Sequence, residues 1–86
     1  MQYMKLQIEF GGDINEIMIP YAGDPLVADL MVAVEQQLSV PADTQRLVFK
    51  GQNLHEFRDQ PLKFFGICNS NKIRLVGRKA FIKSQN

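Results

Sequence analysis

The single histidine, His55, and the single cysteine, Cys68, are the residues best suited to move a proton or attack an electrophile. A thiolate–imidazole pair works only when both side chains meet in a pocket and a third group orients the imidazole. Both residues stand in loop-like sequence, and no third partner accompanies either. They read better as a surface imidazole and a small, semi-buried thiol. Glu56 and Asp59 read as solvated loop charges rather than a general acid and base. The Cys/His spacing of a metal site is absent, as is a glycine-rich phosphate loop. No catalytic residue, metal ligand or cofactor site is assigned, and the expectation is a chain that is not an enzyme.

Residues that could bind rather than react lie in two short apolar runs. In Leu47-Val48-Phe49 and Ile73-Arg74-Leu75-Val76, alternation sends Leu47, Phe49, Ile73 and Leu75 to one side. Val48, Arg74 and Val76 then face the other way, with Arg46, Lys50 and Gly51 beside them. Exposed valines at such positions have two explanations, a binding face or the general preference of β-branched residues for strands. Charge is also unevenly spread. Residues 1–45 carry one lysine against seven carboxylates, a net of −6, whereas residues 46–86 carry nine cations against two carboxylates, a net of +7. Either a basic surface awaits an acidic partner, or the two halves interleave and the charges only solubilise the fold.

These residues need a scaffold, and 86 residues supply one small domain. A chain of this size buries only roughly 60% of its unfolded surface, which leaves no room for a deep enclosed site. With 45% hydrophobic and 22% charged residues the composition is that of a globular protein. No stretch reaches the ~20 apolar residues of a membrane span, and one cysteine cannot form an internal disulfide. No membrane partner is expected, and the expected location is the cytoplasm, extending to the nucleus.

Met4, Leu6, Ile8 and Phe10 alternate with polar residues as in a half-buried strand. Gly11-Gly12-Asp13 suits a hairpin turn, and Ile17 and Ile19 mark the returning strand, which Pro20 should end. Asp24 as N-cap and Pro25 at the first position announce a helix. Its apolar stripe is Val27, Leu30, Met31, Val34 and Leu38, and Pro41 stops it. A short strand follows at Leu47–Phe49, with Gly51-Gln52-Asn53 as its turn and a loop from Leu54. Pro61–Gly66 reads as one helical turn closed by glycine, and Ile73–Val76 is the last strand. The order of elements predicts an α+β layered domain. If the first and last strands adjoin centrally, the sheet is mixed and a single helix covers one face.

Val40-Pro41, Gln45-Arg46-Leu47-Val48-Phe49, Gly51 and Leu54 together resemble the ubiquitin family, as do Pro61-Leu62, Phe65-Gly66-Ile67 and Ile73-Arg74-Leu75-Val76. The resemblance spans roughly Met4 to Gly77 and implies a ubiquitin-like β-grasp. Val27-x-Asp29-Leu30, Val34-Glu35, Phe49-Lys50-Gly51 and Val76-Gly77-Arg78-Lys79 are similar to the ubiquitin-like domain of BAG-family co-chaperones. That branch implies a ubiquitin-like domain over 4–78, then a polar tail or linker over 79–86 leading to a BAG domain absent from this chain. It implies two partners: the heat-shock chaperone, through that BAG domain, and a proteasomal ubiquitin receptor, through the ubiquitin-like domain, itself a monomer. The matching recognition patch implies partner-binding roles for Val48 and Val76, which it brings together outside the sheet, and for Arg46, Lys50, Gly51 and Arg74.

Departures from the family carry meaning. Gly77 is followed by Arg78-Lys79-Ala80 instead of a second glycine, which argues against conjugation. Gln52 stands where ubiquitin carries the lysine of degradative chains. Phe65 replaces a loop-capping tyrosine, and the Leu54–Pro61 loop is longer. The rival of another class is nucleic-acid binding through Arg46, Lys50, Lys72, Arg74, Arg78 and Lys79. The exposed side of those strands offers no stacking aromatic, and the sequence pI is only ≈ 7.9. A domain that merely spaces a larger protein is a third reading.

Overall fold

Alternation over Gln2–Phe10 builds β1, which turns at Gly11-Gly12 and returns as β2, Asp13–Tyr21. Phe10 pairs with Asp13, so the two glycines alone make the turn, at φ 62° and 86°. Positive φ at both central residues is the geometry whose twist matches the flanking strands. The structure, a computed structural model, describes residues 2–78. The tail expected over 79–86 lies outside the described residues.

Pro20 does not end the second strand. β2 continues to Tyr21 and forms one edge of the sheet, where a residue without an N–H is tolerated if that side faces outward. The remaining strands are β3 (Arg46–Phe49), β4 (Gln52–Asn53) and β5 (Lys72–Val76), in the order β2-β1-β5-β3-β4. β1 and β5 run parallel at the centre while every other pair is antiparallel, so the sheet is mixed as expected. The turn after β3 is Lys50-Gly51, both at positive φ; Gln52 and Asn53, read as turn from the sequence, pair with Phe49 and Val48.

The helix α1 spans Val27–Leu38, two residues later than an Asp24 cap would start it. The segment around Pro61 explains the shift. Leu26 bridges Pro61 in antiparallel fashion, and the Leu62 N–H donates to the Pro25 carbonyl at 2.9 Å. Residues 25 and 26 are thereby held extended. The first free helical N–H groups find loop carbonyls instead of a side-chain cap: Val27 donates to Gln60 at 2.9 Å and Ala28 to Arg58 at 3.0 Å. Asp29 accepts from the Leu26 N–H at 2.8 Å, and Asp24 is drawn into an ion pair with Lys63 at 2.9 Å. The stripe packs as expected, with Val27, Leu30, Met31 and Val34 buried, Leu38 half-buried and Ala33 buried with them. It meets Leu6, Ile8, Ile17, Ile19, Leu47, Phe49, Ile73 and Leu75 from the sheet in one core.

Gln45 is the one polar side chain buried among the described residues. Its amide nitrogen donates to the Met31 and Val40 carbonyls at 2.9 and 3.0 Å, tying the helix to the segment that enters β3. The Leu54–Pro61 stretch begins as a 3₁₀ turn, Leu54–Glu56, and not as open loop. Leu54 is buried there, and Phe57 tilts against Phe65 with ring centroids 5.8 Å apart.

Candidate functional site

His55 and Cys68 do not form a reactive pair. His55 is half-buried rather than a surface residue, and its Nδ1 accepts the Leu47 N–H at 3.1 Å. β4 pairs with β3 only at Val48 and Phe49, so the imidazole serves Leu47 where that ladder stops. Cys68 is exposed, not semi-buried. Its N–H donates to Asn71 Oδ1 at 2.7 Å, and the adjoining turn is clamped to β1 by Asn69 Oδ1 on the Lys5 N–H at 2.8 Å. Cys68→Ser therefore leaves the fold's stability within about 0.5 kcal/mol of the parent, as for most surface changes. Equilibrium urea unfolding checks this; a larger loss would give the thiol a structural role.

The outer face of β3 and β5 carries the binding candidates. Across the two strands Arg46 opposes Val76 and Val48 opposes Arg74. The valines are thus diagonal neighbours on the same outer face rather than a directly facing pair. Diagonal positions lie roughly 7–8 Å apart between backbones, and each valine has an arginine directly across. The result is a checkerboard of two apolar and two cationic side chains. Val76 is 54% exposed, Val48 is half-buried, and both arginines are exposed. Neither arginine enters an ion pair among the described residues.

The two halves of the chain interleave where β1 meets β5. Glu9 aligns with Arg74 in the parallel register and Ile14 of β2 with Glu9, so one row across the outer face reads Ile14, Glu9, Arg74, Val48, Asn53. Lys5, the one cation of residues 1–45, pairs with Glu16 of the same half at 3.6 Å. Cationic surface is therefore concentrated toward β3 and the end of β5. Lys50 and Gly51 sit at the β3–β4 turn, and the Lys50 ammonium lies 5.3 Å from the Phe49 ring centroid, within cation–π range. Lys50 consequently flanks the checkerboard and is not a member of it.

An open groove of about 390 Å³ runs from the checkerboard along the chain beyond β5, lined by Thr44, Arg46, Val76, Gly77 and Arg78. Gly77 sets how closely its wall packs: a Cβ there would lie 3.0 Å from both the Thr44 carbonyl oxygen and Val40 Cγ1. Without a side chain, the strand's exit lies close against the Ala42–Thr44 turn. Thr44 was not among the sequence candidates, and Arg78 was one only for the nucleic-acid reading. Arg78 continues the outward alternation of Arg74 and Val76, a signal the sequence does carry. Thr44 enters only through the turn's packing.

No family model matches the chain. Over 57 residues, 66% of its length, it is 39% identical to BAG family molecular chaperone regulator 1 of Rattus norvegicus, and it matches that of Mus musculus equally. It spans 16% of the length of each of these relatives. The crystal structure of the UBL domain of Plasmodium Falciparum Dsk2 superposes with a TM-score of 0.72 at 23% identity, covering 90% of this chain and 100% of that one. The fold is ubiquitin-like. ATBAG1, solved in complex with HSP70, gives the same TM-score at 15% identity, covering 95% of this chain and 44% of that one. Within this ubiquitin-like domain, the β3–β5 checkerboard lies at the positions that the family resemblance marks for recognition.

Proposed function

We propose that this ubiquitin-like domain is a protein-interaction module, not an enzyme and not a conjugated modifier, belonging to a BAG-type co-chaperone of the cytoplasm and nucleus. It docks a proteasomal ubiquitin receptor, while a BAG domain outside this chain holds the heat-shock chaperone. Similarity to the BAG family regulators supports the branch. The observation that carries the binding role is the checkerboard, one exposed and one half-buried valine whose two arginine neighbours enter no ion pair among the described residues. A surface of this size buries less than ~1,200 Å² in total, the range of weak, transient contacts. Weak contact suits an adaptor that must release its load. The cations select a partner that presents an apolar ridge rimmed by carboxylates, and they steer its approach.

Charge reversal tests that steering. Arg46→Glu is a cleaner probe than Arg74→Glu, because Arg74 aligns with Glu9 and its reversal would set two carboxylates side by side. Arg46→Glu slows association with a proteasomal receptor fragment and flattens its dependence on salt, with the dissociation rate changed far less. Stopped-flow mixing at several ionic strengths reads both. An association rate and salt slope equal to the parent's would remove Arg46 from the site.

A further inference from the structure

β2 is the long edge of the sheet, and unpaired strand edges invite another strand. Along it, alternate residues turn their N–H and C=O groups outward. Asp13 closes the hairpin with Phe10, so the odd-numbered residues bond to β1 and the outward groups belong to Ile14, Glu16, Met18 and Pro20. Pro20 has no N–H to offer. At Met18 the outward pair is already taken. The Met18 N–H donates to Gln37 Oε1 at 3.2 Å, and Gln37 Nε2 donates to the Met18 carbonyl at 2.7 Å. A side-chain amide near the end of α1 thus makes the two bonds that a neighbouring strand would make.

We infer that the outer edge of β2 is a strand-pairing surface for a second copy of this chain, latched shut by Gln37. Two copies related by a two-fold axis at Met18 present the same donor and acceptor to each other, the self-complementarity that a symmetric pair needs. Charge decides the register. An axis at Glu16 would place two carboxylates directly opposite, whereas an axis at Met18 sets Glu16 against Pro20 of the other copy. Beside the edge lies a groove of about 130 Å³ lined in part by Ile19, Pro20 and Val32. Met18 and Val32, 39% and 50% exposed, are the apolar side chains that pairing would cover. The other sheet edge, β4, is two residues long, so association closes at two copies and does not propagate. The contact is small, and the pair forms only at high protein concentration once the latch is removed.

Gln37→Ala removes the latch at an exposed helical position where alanine is the best helix former, so the variant folds. Light scattering across a concentration series is expected to give a constant monomer mass for the parent. For Gln37→Ala it is expected to rise toward twice the monomer mass, with a Met18 amide whose exchange protection increases with concentration. Adding Met18→Pro, which deletes the outward N–H, should return the variant to monomer. A Gln37→Ala protein that stays monomeric with a concentration-independent Met18 amide would overturn the inference. Growth beyond dimer, or a dimer whose Met18 amide remains unprotected at every concentration, would overturn it as well.

Discussion

Leu30→Ala is expected to lower the stability of the domain by about 2–5 kcal/mol. Leu30 is 0% exposed and sits at the middle of the α1 stripe, against the apolar face of the sheet. Truncation removes its methyl groups and leaves a cavity that neighbours on a five-stranded sheet cannot collapse to fill. Domains hold only about 5–15 kcal/mol in all, and one of this size lies toward the lower end. At roughly 4–8 °C of melting temperature per kcal/mol, the midpoint should fall by about 10 °C or more. Thermal unfolding followed by far-UV circular dichroism reads it. An unchanged midpoint would mean that α1 presents a different face to the sheet.

Val48→Ala combined with Val76→Ala is expected to act on binding and not on folding. Removing apolar contact at both positions costs about 1–3 kcal/mol of affinity for a proteasomal receptor fragment, a loss of roughly 5- to 150-fold. Neither valine belongs to the core cluster, and Val76 leaves more than half its surface in water. The remaining effect on the fold is strand preference, below about 1 kcal/mol at each position. Isothermal titration beside a melting curve separates the two. A melting point that collapses while the affinity of the folded fraction stays at the parent's value would make these valines structural.

The contrast between the two predictions follows from what was legible in the residue pattern. Leu6, Ile8, Leu30, Val34, Ile73 and Leu75 recur with strand or helix periods, and each is buried as its period requires. Periodicity reports local geometry, and burial follows once a helix has a sheet to cover. The start of α1 depended on something else. The Arg58 and Gln60 carbonyls cap it from a distant segment, so an Asp-Pro signal with good local chemistry was overridden by tertiary hydrogen bonds. Pro20 misled for a related reason: its effect depends on whether the strand is an edge, which is a property of the sheet. His55 and Gln37 each complete a strand's hydrogen bonding from a neighbouring segment. No sequence period marks that role.

The outer face was legible by alternation, which sent Arg46, Val48, Arg74 and Val76 to one side. Its internal arrangement was not. Whether Val48 faces Val76 or Arg74 depends on the β3–β5 register, and the register follows from where the Lys50-Gly51 turn and the Gly77 close approach fix each strand. The same register brings Glu9 beside Arg74, so the acidic and basic halves of the chain meet at that point of the sheet.

The central claim is that a partner docks on the outer face of β3 and β5. Its most direct test is an NMR titration of the labelled domain with an unlabelled proteasomal receptor fragment, followed by amide chemical shift. The account predicts saturable shift changes concentrated at residues 46–51 and 73–78, weakened by the paired valine substitutions. Changes centred on the exposed side of α1, with residues 46–51 and 73–78 silent, would contradict it.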